Sequence, residues 1–236
     1  MVVYRLPRGE SIYSPASHCP NCNKPIKPYD NIPILSWMIL RAKCRNCREP
    51  ISIRYPLIEL TVALWFVWMF QLFGMSWDFA NFAILGVLLL AVGIVDFDTQ
   101  LIPDSVLIIG AVFGLVFAFY GDAMTVAESL TGGAVMGGTF FLIALIGEKL
   151  MKKESMGFGD VKLSVMIGLF IGWKMAFLAI FLSSIFASVI GLTAIGLGKM
   201  KFGKPFAFGP FIALGALVSG IWGDMIVAAY LRWAFV

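Results

Sequence analysis

GFGDVKLSVMIGLFIG, residues 157–172, decides how this chain is folded. Two glycines flank Phe158, a carboxylate follows at Asp160, and an apolar run, 161–172, begins directly behind it. A membrane helix needs about 20 apolar residues, with shorter runs tolerated where bilayer or packing adapts. Read as a span, this short run makes seven. Without it, the lysines of the next loop, Lys199, Lys201 and Lys204, fall on the opposite side from the other basic residues.

The rest of the chain agrees with a membrane reading. Of 236 residues, 60% are hydrophobic and 14% are charged, with a mean hydropathy of +0.89. Soluble domains carry about 25% charged residues. Apolar runs fall at 57–75, 79–95, 105–120, 130–146, 161–172, 175–197 and 206–222, and the apolar tail to Val236 extends the last of them. The expected fold is all-α and polytopic, with about seven transmembrane helices (57–236) behind a polar, cysteine-bearing segment (1–56). Met1 to Pro7 is too short for a signal peptide. The net charge of +4 gives no reason to expect nucleic acid as a partner. No internal repeat is evident.

Lysine and arginine cluster in cytosolic segments of membrane proteins. With residues 1–56 placed in the cytoplasm, alternation puts 96–104, 147–162 and 198–205 there too. These inside segments hold 16 of the 18 basic residues, leaving only Lys174 and Arg232 outside. Local signals fit these edges. Asp78 is placed to cap the second run, Thr125-Val126-Ala127-Glu128 reads as a capping box, and Pro103-Asp104 opens the third run. Gly133/Gly137 and Gly168/Gly172 have the spacing that lets helix backbones approach closely.

All four cysteines lie in the polar segment, as Cys19-x2-Cys22 and Cys44-x2-Cys47. Two such knuckles can close a tetrahedral four-thiolate site, which leaves no open position and so implies structural zinc in a zinc-ribbon-like domain. A reducing cytosol disfavours the disulfide alternative. His18, the one histidine, adjoins this site, so no Ser-His or Cys-His nucleophile system is available.

Two carboxylates are candidates for chemistry. Asp96 ends the second run, where the helix dipole and nearby hydrocarbon both disfavour a carboxylate; its bland reading is an interfacial residue reaching water. Asp160, read alone, could simply cap its helix. Both fall at the same membrane face. Brought close, they could not both ionise freely, and the pair would hold one proton while activating a water. Gly157 and Gly159 would let a substrate backbone approach. Asp98 and Asp104 share the acidic stretch 96–104, which contains no Lys or Arg and suits a basic peptide. Glu59, inside the first run, pairs structurally or borders the site.

Taken in order, these residues resemble the prepilin peptidases, or type IV leader peptidases, membrane aspartyl proteases of bacteria. The matching stretches are Cys19-Pro20-x-Cys22, Asp30-Asn31-Ile32-Pro33, Cys44-Arg45-x-Cys47 and Ile51-Ser52-x-Arg54-Tyr55-Pro56-x-x-Glu59. They continue with Asp96-x-Asp98, Ile102-Pro103-Asp104, Gly157-Phe158-Gly159-Asp160-x-Lys162 and Phe208-Gly209-Pro210. The resemblance implies that Asp96 and Asp160 are catalytic. It implies removal of a short basic leader from type IV prepilins or pseudopilins at the cytosolic face of the inner membrane. It also implies, in many members, methylation of the new N-terminus with S-adenosylmethionine. The family usually has eight spans, one of them ahead of the cysteine segment; here the sequence starts at Met1-Val2-Val3-Tyr4-Arg5-Leu6-Pro7. Two rival readings remain: a transporter using Asp96 and Asp160 as ion ligands, and a peptidase-inactive methyltransferase or assembly factor. Transport sites usually lie nearer mid-membrane.

Overall fold

The computed structural model describes residues 17–121, 123–151, 156–198 and 208–234. It divides into two compact units, Met1–Gly74 and Met75–Val236. The first apolar helix therefore groups with the cysteine segment, and the division falls at Gly74 rather than at residue 56. Gly74 takes φ +61°, ψ −155°, a conformation open to glycine, and ends that helix.

In the first unit, two cysteine hairpins flank a 3-10 turn, Pro28–Asn31, and a short helix α1, Leu35–Ile39; helix α2, Arg54–Phe73, follows. Among the described residues there is no β-strand. The isolated bridges His18–Pro25 and Lys43–Pro50 close the two hairpins.

The second unit contains α3 (Trp77–Thr99), α4 (Asp104–Tyr120), α5 (Val126–Met151), α6 (Phe158–Gly196) and α7 (Gly209–Ala234). Ser76, not Asp78, caps α3: its Oγ accepts from the Phe79 amide at 3.1 Å, and Asp78 sits inside the first turn. The capping box of α5 forms as expected, with Thr125 Oγ1 accepting from Glu128 N and Glu128 Oε2 accepting from Thr125 N. Pro103 is the N-cap of α4.

Helix α6 is 39 residues long, about twice a span, but Gly172 breaks it at φ +70°, ψ 171°. Its neighbours show that the two arms run in opposite directions. The first arm starts with Asp160 beside Gly209 and reaches Ile171 beside Gly220. The second starts with Met175 against Gly223 and passes Ser183 at Gly215 on its way back. The short run 161–172 is thus a helix of its own. Among the described residues, five helices are long and apolar enough to cross a membrane; α4, with 17 residues, is shorter. With α6 resolved into its arms, the described residues form the expected seven apolar helices, and the tail does extend the last one to Ala234.

Small residues set the packing. Side-chain positions on Gly132 and Gly168 would each run into the other helix's backbone, so α5 and α6 touch main chain to main chain. Gly133 and Gly137 flank that contact against Leu169 and Val165. The sequence pattern found the right helices, but the contact residue is Gly132.

The break strips Leu169 and Phe170 of the partners a continuous helix would supply, and an orphan carbonyl in an apolar bundle is costly. Two neighbouring helices answer. Ser129 Oγ donates to Leu169 O at 2.7 Å, and Asn81 Nδ2 donates to Phe170 O at 3.2 Å. Both side chains are buried. Removing either donor, by Ser129→Ala or Asn81→Leu, should destabilise the bundle by about 0.5–2 kcal/mol. Thermal unfolding in detergent would show a lowered midpoint for each, and Ser184→Ala, whose exposed hydroxyl bonds only within its own helix, should show none.

Candidate functional site

Asp96 lies in the last turn of α3. Gln100, in the left-handed region at φ +53°, ends the helix by donating its amide to Asp96 O. The Asp96 side chain does not reach to water: the residue is only 6% exposed, and Oδ2 has no hydrogen-bond partner among the described residues. Asp160 is not a cap either. Gly157 holds the N-cap position of α6, no side chain caps there, and Asp160 is the third helical residue. Both bland readings are therefore set aside.

What the two side chains face is the start of α7. A Cβ on Gly209 would lie 2.9 Å from Asp96 Oδ2 and 3.5 Å from Asp160 Oδ1. The two oxygens can be no further apart than the sum of those distances, about 6.4 Å, close enough for strong mutual influence. Helices α3, α6 and α7 thus bring two carboxyl groups to one point at one end of the bundle. Such a pair can share a proton, with one oxygen accepting from water while the other donates. Gly209 was not read from the sequence as a site residue; its only signal was the Phe208-Gly209-Pro210 stretch.

The other expected site residues are placed differently. Asp104 is engaged: Lys162 Nζ donates to its Oδ1 and Oδ2 at 2.8 and 2.9 Å, tying the start of α4 to the start of α6. The ammonium also lies over the Phe158 ring. A Cβ on Gly159 would lie 3.2 Å from the Ile102 side chain, so the absence of a side chain there lets Ile102 approach closely. A Cβ on Gly157 would lie 3.8 Å from Asp160 Oδ2. Asp98 is exposed on the last turn of α3. In the first unit, Glu59 Oε2 accepts from Ile34 N at 2.8 Å. Ile34 sits at φ +62°, strained for a β-branched residue, and Glu59 helps hold it there.

The four cysteines converge. Their sulfurs all lie within 4.8 Å of one another, and Cys19 Sγ is 3.7 Å from Cys47 Sγ. A tetrahedral ion with metal–sulfur bonds near 2.3 Å would space its thiolates by about 3.8 Å, so the donor set fits a four-thiolate metal ion. All four are free thiols, and His18 stands outside the cluster. Amides of Cys47 and Asn46 pull the Cys44 thiol down to about 7.

The two hairpins prove to be copies. His18-Cys-Pro-Asn-Cys-Asn-Lys-Pro-Ile26 aligns with Lys43-Cys-Arg-Asn-Cys-Arg-Glu-Pro-Ile51. Cys19 N and Cys44 N donate to Lys24 O and Glu49 O; Asn23 N and Arg48 N donate back to Cys19 O and Cys44 O. Ile26 and Ile51 likewise donate to Ser17 and Ala42, and both Asn23 and Arg48 have positive φ. An internal repeat is present, although none was evident in the sequence: nine residues with four positions changed are easily overlooked.

Arg45 grips Asp30 with two hydrogen bonds, of 2.7 and 2.6 Å. They hold the Asp30 carboxyl below its ordinary range. A depressed carboxylate contributes its stabilisation above the unfolded value, near pH 4, and loses it as the pH falls through the folded value.

Comparison with known proteins agrees with both units. Residues 1–73 match the bacterial peptidase A24 N-terminal domain, and residues 82–192 match the type IV leader peptidase family. A prepilin leader peptidase/N-methyltransferase of Stutzerimonas stutzeri is 36% identical, over 95% of this chain and 78% of its own length. The chain belongs to the type IV leader peptidase family. Proteins of the same description from Pseudomonas aeruginosa and Aeromonas hydrophila are each 36% identical, over 93% and 92% of this chain and 76% and 75% of theirs. No solved structure matches the chain.

Glu59→Ala would leave the Ile34 amide without its acceptor. It should cost about 1–2 kcal/mol. Hydrogen exchange should show faster exchange at Ile34 and through α1, with residues 75–234 unchanged.

Proposed function

We propose that this chain is a membrane aspartyl endopeptidase that removes the short basic leader from type IV prepilins or pseudopilins. The observation that carries the reading is the convergence of Asp96 and Asp160 on Gly209, in a chain of this family. One carboxylate takes a proton from water as its oxygen attacks the scissile carbonyl. The other, protonated, gives its proton to the carbonyl oxygen. Collapse of the tetrahedral intermediate breaks the C–N bond, the amine leaves with a proton, and one proton remains on the pair. The two groups titrate together, so neither is assigned a fixed role.

The basic-residue distribution supports an inner-membrane protein with residues 1–56 and the carboxyl pair on the cytosolic side. The acidic stretch 96–104 supplies Asp98, exposed on the last turn of α3, and Asp104, paired with Lys162, as contacts for a basic leader. The lipid bilayer is the other partner. The four-thiolate centre takes zinc, held by Cys19, Cys22, Cys44 and Cys47, and its role is structural because no coordination position stays open. The names of the relatives include N-methyltransferase, which supports N-methylation as a second activity; S-adenosylmethionine as its methyl donor rests on the family resemblance alone. The transporter reading is disfavoured because the carboxyl pair and the helix break at Gly172 lie at opposite ends of the first arm of α6.

Asp96→Asn and Asp160→Asn should each abolish leader removal, read as a gel shift of a prepilin substrate; wild-type processing by either would sink the reading. Asp98→Asn should raise KM with kcat unchanged. Purified protein should hold one zinc per chain by elemental analysis, and Cys44→Ser should lose it.

A further inference from the structure

Gly209 stands where the two carboxyl groups meet, on the first turn of a helix that the proposed mechanism does not use. The point its side chain would occupy lies 2.9 Å from Asp96 Oδ2, 3.6 Å from Asp96 Cγ and 3.5 Å from Asp160 Oδ1. A carbon and an oxygen do not settle at 2.9 Å, so any side chain there must displace the Asp96 carboxyl. The residue is itself buried, as is Asp96. Asp96 Oδ2, unpartnered among the described residues, is the atom pressed closest to it.

We propose that Gly209 is a positioning residue for the carboxyl pair: by carrying no side chain, it lets Asp96 and Asp160 converge from two other helices. Several features give this content beyond simple close packing. Elsewhere in the bundle the tight glycines meet backbone, apolar groups or, at Gly215, the Ser183 hydroxyl: Gly132 meets Gly168, Gly110 meets Met166, and Gly220 meets Phe82, and none of these meets a carboxyl group. At Gly209 all three nearest atoms belong to the two carboxyl side chains. The atom that would have to move is the free end of a side chain with two torsions, so the fold can absorb a methyl group there while the geometry of the pair cannot.

Pro210 adds to the effect. It follows Gly209 inside the first turn of α7, where its fixed φ suits a helix start and its missing amide costs nothing. The Phe211 and Ile212 amides both turn back to Phe208 O, at 3.0 and 3.2 Å. Gly209 thus sits inside a hydrogen-bonded first turn of α7, between Phe208 and Pro210.

This inference rests on the peptidase reading, and the test separates the two. Gly209→Ala is compared with wild type for kcat and KM on a prepilin peptide, for the pH profile of kcat/KM and for thermal midpoint in detergent, alongside Asp96→Asn and Asp160→Asn. The expected result for Gly209→Ala is a kcat lowered about tenfold or more, since small misplacements of reacting groups are costly. KM should be nearly unchanged, and one limb of the pH profile should move by about half a unit as the pair's mutual influence changes. The midpoint should fall by no more than a few degrees. An unchanged kcat overturns the inference, and so does a lowered kcat with an unmoved profile, which would place the loss elsewhere. If Gly209→Ala is instead strongly destabilised, the same substitution in an Asp96→Ala background decides. Disappearance of the penalty shows that the methyl group collides with the Asp96 carboxyl; its persistence overturns the proposal. Activity in Asp96→Asn or Asp160→Asn would bring down the peptidase reading itself, whatever Gly209→Ala does.

Discussion

Backbone carbonyls cannot be left unanswered inside an apolar bundle, and the break at Gly172 makes that demand acute. Ser129 and Asn81, from two different helices, meet it by binding Leu169 O and Phe170 O. These bonds fix the level at which the first arm of α6 ends. The arm is rigid, and Asp160 lies twelve residues before Gly172, so about 18 Å away along the helix. The depth of one carboxyl group is thereby set from the far end of the bundle. The main-chain contact between Gly132 and Gly168 fixes the same arm sideways.

The other carboxyl arrives by a different route. Asp96 belongs to α3, whose opposite end is pinned by the Ser76 cap and by Trp77 stacked on Tyr120, at 6.0 Å between ring centres. Lys162 and Asp104 then lock α4 to α6 next to the pair. The site is thus an intersection of helix ends, each positioned by polar contacts remote from or beside it, and no loop among the described residues carries a member of the pair. Rigid elements of this kind suit chemistry that depends on two oxygens staying in a narrow range of separation.

Much of this was legible in the sequence. Hydropathy gave the helices, the basic residues supported counting 161–172 as one of them, and the spacing of Cys19, Cys22, Cys44 and Cys47 pointed to one metal-binding cluster. The unfavourable position of Asp96 at a helix end marked it before any geometry was known. Other features were hidden for physical reasons. Ser76 and Asp78 are both plausible caps, and backbone geometry alone chooses between them. Gly132, Gly133 and Gly137 offer several registers for one helix contact, and only the partner helix selects. Asp104 looked open because its partner, Lys162, lies 58 residues further along the chain. Gly209 stood only within the matching stretch Phe208-Gly209-Pro210, because a glycine in a glycine-rich chain says nothing about what points at it.

The repeated cysteine hairpins bear on the unfolded chain as well as the folded one. Each supplies two sulfurs, so an ion coordinated by all four would tie Cys22 to Cys44 and close a loop of 21 residues. Cross-links of that size restrict the denatured ensemble by about 3 kcal/mol in chain-entropy terms. The loop so closed contains the 3-10 turn, the strained Ile34 and helix α1, segments too short to order themselves. Their structure would then be bought by lost disorder elsewhere, with coordination chemistry standing in for the hydrophobic core that so small a unit lacks.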